Sequence, residues 1–125
     1  MMRRTLGPLL LAVAGAVAVA GAAPAAAGNE ALSFVQVVEK EWSLQLSRTS
    51  VKAGRVAIET VNFGTDAHDL VVQGKARGAR PARFKQIGPR GRTERTLRLP
   101  AGRYSLWCSL PGHKAKGMSA TLSVR

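Results

Sequence analysis

Short runs in which apolar and polar residues alternate fill much of the chain after residue 32. A period of two is typical of a β-strand with one buried face, and no stretch between residues 28 and 125 shows a convincing helical period. Turn signals such as the Pro-Ala-Gly sequence at 100–102 separate the runs. The pattern predicts an all-β domain, a sandwich or barrel of about seven or eight strands. The predicted strands cover residues 33–39, 42–48, 55–63, 68–73, 93–99, 103–108 and 119–124.

Residues 75–98 interrupt this pattern with a basic segment. It contains nine Lys or Arg residues but one acid, Glu94. Residues 74–92, which are rich in Gly, Arg and Lys, predict a long connection with a helical turn over residues 82–86. Two interpretations stay open: a solvated loop and strand face, or a surface that attracts an acidic redox partner or an anionic envelope polymer. Nucleic-acid binding is not expected, because Phe84 is the single aromatic residue in the segment.

The N-terminus has the pattern of a cleavable secretory signal peptide. Arg3 and Arg4 precede an apolar run to about residue 23, and three small residues, Ala25 to Ala27, follow it. We predict cleavage after Ala27, with residues 1–27 as signal peptide and residues 28–125 as one exported domain, located in the periplasm, outside the cell or in the cell envelope. No later segment is apolar enough to span a bilayer, and we expect a monomer.

The chain has one cysteine and two histidines, and these residues suggest a metal site. A single Cys cannot form the internal disulfide that exported domains of this size often use, so it is free, intermolecular or held by another group. Cys108, His113 and Met118 follow a C-x4-H-x4-M spacing, and His68 lies in an upstream apolar run. Two imidazoles, a thiolate and a weak thioether are the ligands of a blue-copper electron-transfer site. Zinc is the main competing metal, although the Met argues against structural zinc.

Strand geometry predicts how these residues meet. Cys108 ends a predicted strand and shares its inward face with Tyr104 and Leu106. The turn at 110–112 is expected to bring His113 back to Cys108, and His68 is expected to come from a neighbouring strand across the sandwich. We do not expect an enzyme, because no orienting group other than Asp69 accompanies Cys108 and His113.

Two segments carry a resemblance to a known family: residues 62–68, Asn-Phe-Gly-Thr-Asp-Ala-His, and residues 102–118, Gly-Arg-Tyr-Ser-Leu-Trp-Cys-Ser-Leu-Pro-Gly-His-Lys-Ala-Lys-Gly-Met. With them the sequence resembles the cupredoxins, the plastocyanin and azurin superfamily of type 1 copper proteins, over residues 33–125. The spacing is most similar to that of the rusticyanin and auracyanin branches. The resemblance implies a Greek-key β-sandwich that holds one copper ion.

The resemblance also implies roles for individual residues. His68, Cys108 and His113 would be equatorial copper ligands, and Met118 the axial ligand. A redox partner would dock near Leu110, Pro111 and His113. Asp69 departs from the pattern, because many relatives have Asn or Ser there, bracing the site by hydrogen bonds near the Cys sulfur. A carboxylate cannot donate such a bond unless it is protonated, so Asp69 would pair with an Arg or point outward.

Three functions are compatible with the sequence. The first is an exported blue copper protein that transfers single electrons between redox partners. The second is a copper carrier or storage protein of the cell envelope, which would share the ligands but favour Cu(I) and hand its metal over. The third is a metal-free module that binds anionic surfaces through residues 75–98.

Overall fold

The computed structural model describes residues 15–22 and 30–125. Nine β-strands and no helix lie within these ranges. The all-β prediction is therefore confirmed. The strands are β1 Ser33–Lys40, β2 Ser43–Leu46, β3 Ser50–Val51, β4 Gly54–Asn62, β5 Val71–Gly74, β6 Ala82–Arg83, β7 Arg92–Leu99, β8 Gly102–Trp107 and β9 Ser119–Val124.

The strands form two sheets that pack into a sandwich. The first has the order β2-β1-β4-β7, and the second has the order β3-β9-β8-β5-β6. The β1–β4 and β3–β9 pairs are parallel, and every other pairing between these strands is antiparallel. Parallel neighbours require crossover connections, so the chain passes repeatedly from one sheet to the other.

Alternation along the strands builds the core. On β8, Tyr104 and Leu106 are buried and continue in line to Cys108, as the period-two pattern predicts. Val35 and Val37 of β1 face them from the other sheet within one buried cluster. These apolar faces provide the main driving force for folding, about 1.5–3 kcal/mol for each buried aliphatic side chain.

Strand register brings residues distant in sequence to one end of the second sheet. Val71 of β5 and Ser119 of β9 both pair with Trp107, the last residue of β8. Cys108 follows Trp107, His68 lies just before β5, and Met118 directly precedes β9. The three residues therefore reach the same edge of the same sheet, which we call the site end.

The structure corrects two expectations. His68 does not come from across the sandwich, because β5 is the neighbour of β8 within one sheet. The helical turn predicted over residues 82–86 is also wrong, since Ala82–Arg83 pairs with β5 as strand β6. The extended path continues to Ile87, which forms an isolated bridge with His68. Phe84 and Ile87 are both buried along it, and this burial favours the extended chain over a helical turn.

The predicted signal peptide lies mostly outside the described residues, including its cleavage point after Ala27. Residues 15–22 are described and form neither strand nor helix. Within the two described ranges, we find no helix with the length and apolar character needed to cross a membrane.

Candidate metal centre

Three donor atoms converge at the site end. The Sγ atom of Cys108 lies 3.5 Å from Nδ1 of His113 and 4.0 Å from Nδ1 of His68, and the two Nδ1 atoms are 3.2 Å apart. Donors bound at about 2.0–2.3 Å around one ion, at angles of about 105–120°, would lie about 3.2–4 Å from each other. The triangle thus has the size needed for a single metal ion, and these residues form one group that could hold it.

Hydrogen bonds shape the loop that carries three of the predicted ligands. His113 N donates to Leu110 O, which closes a turn, and Met118 N donates to His113 O at 3.2 Å. Cys108 N donates to Met118 O at 3.1 Å. Met118 is fully buried in the same core cluster as Cys108. The backbone therefore fixes Cys108, His113 and Met118 relative to one another, while the role of Met118 as axial ligand stays a prediction.

Gly117 closes this loop in a conformation that needs glycine. Its φ is +124°, and a Cβ there would lie 2.8 Å from the backbone oxygen of Trp42. We expect Gly117→Ala to destabilise the protein by about 3 kcal/mol, because the cost of the strained backbone adds to the cost of displacing the Trp42 backbone. Gly78 is the matched control, because its φ is +78° but no atom of the described ranges lies within 4 Å of a new Cβ. Gly78→Ala should lower the free energy of unfolding, measured in urea, by about 1 kcal/mol. Equal losses for both variants would contradict the special requirement for glycine at position 117.

Asp69 pairs with no Arg among the described residues, and it does not point away from the site. Its carboxylate accepts hydrogen bonds from the backbone N–H of Ser109, at 2.6 Å, and from the Ser109 hydroxyl. Its own N–H points to Cys108 Sγ at 3.5 Å. Asp69 therefore bridges the segments that carry His68 and Cys108. The group that donates to the Cys108 sulfur is the backbone N–H of Asp69, not its side chain.

Burial dominates the electrostatics of Cys108. The side chain is fully buried, and burial raises the pKa of the Cys108 thiol. The nearby negative charge of Asp69 adds to this rise, whereas the N–H groups of Asp69 and Leu110 oppose it. Because a cation compensates a buried thiolate, these surroundings favour deprotonation together with metal binding.

Two carboxylates near the site were not identified from the sequence. Glu41, in the β1–β2 turn, contacts His68, with Oε1 2.9 Å from Nε2. The N–H groups of Asp66 and Thr65 hold the pKa of Glu41 down to about 2. Glu39, on β1, is fully buried, and neither of its oxygens has a hydrogen-bond partner among the described residues. Burial, and then the charge of Asp69, raises the pKa of Glu39 to about 8.

The outer face of the site combines one half-buried histidine with apolar and cationic side chains. His113 is partly exposed, while His68, Cys108 and Met118 are fully buried. The Trp42 ring packs edge-on against the His113 ring, with centroids 4.8 Å apart. Two loop lysines flank this region: Lys116 lies over the Trp42 ring and Lys114 over the Trp107 ring, at 4.1 Å and 4.5 Å.

The basic segment 75–98 does not form one patch. Lys75 N donates to Arg103 O near the start of β8, at the opposite end of the sheet from Cys108. In contrast, Arg90 N donates to Asn62 O, and Arg92 pairs with Val61, which places both near the site end. The positive charge is therefore spread along the sandwich.

Comparisons with known proteins identify the fold. No protein-family model matches the sequence, and no curated protein does. Among solved structures, auracyanin from Roseiflexus castenholzii matches with a TM-score of 0.61 at 20% identity, over 74% of this chain and 97% of that one. Auracyanin A from Chloroflexus aurantiacus, described as a "blue" copper protein, matches with a TM-score of 0.61 at 17% identity, over 76% and 100%. Rusticyanin from Thiobacillus ferrooxidans matches at 0.55 and 18%, over 75% and 77%. The chain has the cupredoxin fold, as the resemblance implied.

Proposed function

We propose that this cupredoxin-fold chain binds one copper ion through His68, Cys108, His113 and Met118 and transfers single electrons between redox partners. The observation that carries the proposal is the convergence of Cys108 Sγ with the Nδ1 atoms of both histidines. When bound, copper supplies a one-electron couple between Cu(I) and Cu(II). A mixed set of thiolate and imidazole with a nearby thioether suits this metal better than zinc or a hard cation.

The surroundings of the donors support electron transfer rather than copper delivery. His68, Cys108 and Met118 are fully buried, and backbone hydrogen bonds fix their segments. Handing the metal to another protein requires ligands that an acceptor can reach. Electron transfer instead benefits from ligands that move little, so the buried arrangement favours an electron carrier, which performs no catalysis of its own.

His113 is the proposed point of electron exchange. Of the four proposed ligands, it is the one with solvent-exposed surface. Pro111 is exposed and Leu110 half-buried on the same loop, so a small apolar surface adjoins the histidine. Lys114 and Lys116, on the same loop, add positive charge over the neighbouring Trp107 and Trp42 rings. This combination suits a weak, fast encounter with an acidic redox partner, because charge complementarity raises the association rate more than the affinity.

Export to the periplasm or cell envelope is part of the proposal and rests on residues 1–27. The N-terminal sequence of protein purified from the producing cells tests it directly. A mature protein that begins at Gly28 would support cleavage after Ala27. A mature protein that retains Arg3 and Arg4 would contradict it.

Replacing Met118 with leucine tests the proposed axial ligand. We expect Met118→Leu to keep the visible absorption of the copper-loaded protein and to raise its reduction potential, because an electron-donating thioether is lost. The exchange nearly conserves volume, so stability should change by less than about 1.5 kcal/mol. Leu122→Met, at another fully buried position, is the matched control and should leave the potential unchanged. A fall in potential on Met118→Leu would count against axial ligation.

A further inference from the structure

A carboxylate next to the first sheet contacts the more deeply buried of the two site histidines. Glu41 lies in the turn between β1 and β2, where Lys40 pairs with Ser43. His68 precedes β5, in the second sheet. Glu41 Oε1 and His68 Nε2 are 2.9 Å apart. His68 is fully buried, and the Glu41 side chain retains 22% exposure. The contact therefore links the two sheets directly beside the triangle of donor atoms.

The loop before His68 holds this carboxylate in place. Thr65 N donates to both Glu41 oxygens at 3.0 Å, and Asp66 N donates to Oε1 at 2.8 Å. Asn62 braces the same loop, since its Oδ1 accepts from Gly64 N and its Nδ2 donates to Asp66 O. The Glu41 carboxylate thus has several fixed donors and little freedom to turn away from His68.

Gly64 shows that the loop fits the carboxylate closely. A Cβ at this position would overlap both Glu41 oxygens and its Cδ atom. Gly64 does not have a positive φ, so the requirement for glycine is one of space. Any larger residue would displace Glu41 or move the loop away from it.

The contact determines which nitrogen of His68 is free. An ionised carboxylate only accepts hydrogen bonds, so His68 Nε2 carries the proton that is shared with Glu41. In the neutral ring, Nδ1 then has the lone pair, and Nδ1 is the atom that faces Cys108 Sγ and His113 Nδ1. Partners of this kind commonly set the tautomer and basicity of metal-ligating histidines.

We propose that Glu41 is a positioning residue that fixes His68 as the Nε2–H tautomer, with Nδ1 directed into the site, and whose negative charge lowers the reduction potential of the bound metal. The part about the potential rests on the proposed copper function. The part about the tautomer concerns the metal-free protein alone. A purely structural role, in which Glu41 only holds residues 65 and 66, would require neither effect.

Two variants separate orientation from charge. Glu41→Gln retains an oxygen that accepts from His68 but removes the charge, and Glu41→Ala removes both. Glu94→Gln is the matched control, because Glu94 is exposed on β7. In the metal-free protein, long-range 1H–15N NMR should show a single Nε2–H tautomer of His68 in the wild type, in Glu41→Gln and in Glu94→Gln. Glu41→Ala should show a tautomer mixture. An unchanged tautomer in Glu41→Ala would overturn the inference.

The copper-loaded proteins provide the second readout. We expect Glu41→Gln to raise the reduction potential, and Glu41→Ala also to weaken Cu(II) binding by about 10–100-fold. Glu94→Gln should change neither quantity. Equal shifts in potential for Glu41→Gln and Glu94→Gln would overturn the role of the Glu41 charge. If the protein bound no copper, the proposed function would fail while the NMR result still decided the role of Glu41. Should Glu41→Ala not fold, the potential of Glu41→Gln remains decisive.

Discussion

Replacement of Cys108 with serine is expected to abolish the visible absorption that Cu(II) produces on binding to this protein. The absorption of a blue-copper site depends on the thiolate, and a serine hydroxyl is a poor ligand for copper at neutral pH. Binding should also weaken by more than the roughly 10–100-fold typical for loss of an outer hydrogen-bond partner. The measurement is a titration with Cu(II), followed by visible absorption and equilibrium dialysis.

The fold should survive this substitution in the metal-free state. Serine is close in size to cysteine, and a buried hydroxyl costs about 1–3 kcal/mol when it lacks a partner. Asp69 N, which points to the sulfur at 3.5 Å, offers one. Far-UV circular dichroism before copper addition is therefore the control. If Cys108→Ser retained the wild-type colour, Cys108 could not be the ligand responsible for it.

The second large effect concerns Glu39 and the pH dependence of stability. The unfolded carboxyl has an ordinary pKa of 4.5, and the folded value is raised to about 8. Between these values the folded protein holds a proton that the unfolded chain has released. The contribution of Glu39 to the free energy of unfolding therefore falls as pH rises, by about 1.4 kcal/mol per pH unit, and levels off above about pH 8.

Glu39→Gln removes this titration. Relative to the wild type, the variant should gain stability steadily from pH 5 to pH 8, by at most about 4 kcal/mol over the interval. Urea unfolding of the metal-free proteins across this range measures the difference. The test depends on how this stability difference changes with pH and not on its absolute size, because a buried amide without partners lowers stability at every pH. Glu94→Gln, at an exposed position, should keep the wild-type slope, and a wild-type slope in Glu39→Gln would refute the assignment.

Period-two alternation was sufficient to predict the main strands. Each of the seven predicted runs overlaps a strand, and the inward line of Tyr104, Leu106 and Cys108 is confirmed by their burial. The alternation did not reveal β3 and β6, because each has two residues, too few to show a period. The path of residues 82–87 depends on pairing with residues 68–72, and composition alone does not encode that tertiary contact.

The candidate site was predictable in its donors but not in its surroundings. Cys108, His113 and Met118 are close in sequence, and the single Cys and two His left few alternatives. Glu41 is 27 residues from His68, and their contact crosses from one sheet to the other. No local spacing in the sequence predicts such a pair. The placement of His68 beside β8 likewise required the strand order, which alternation does not determine.

The most direct test of the account is the visible and EPR spectrum of the purified protein after one equivalent of Cu(II) is added. Coordination by Cys108, His68 and His113 predicts an intense visible absorption and an EPR signal with narrow copper hyperfine splitting. It also predicts reversible bleaching on reduction. A colourless protein, or one whose EPR signal has the wide splitting of ordinary tetragonal Cu(II), would contradict the proposal that these three side chains form a type 1 copper site.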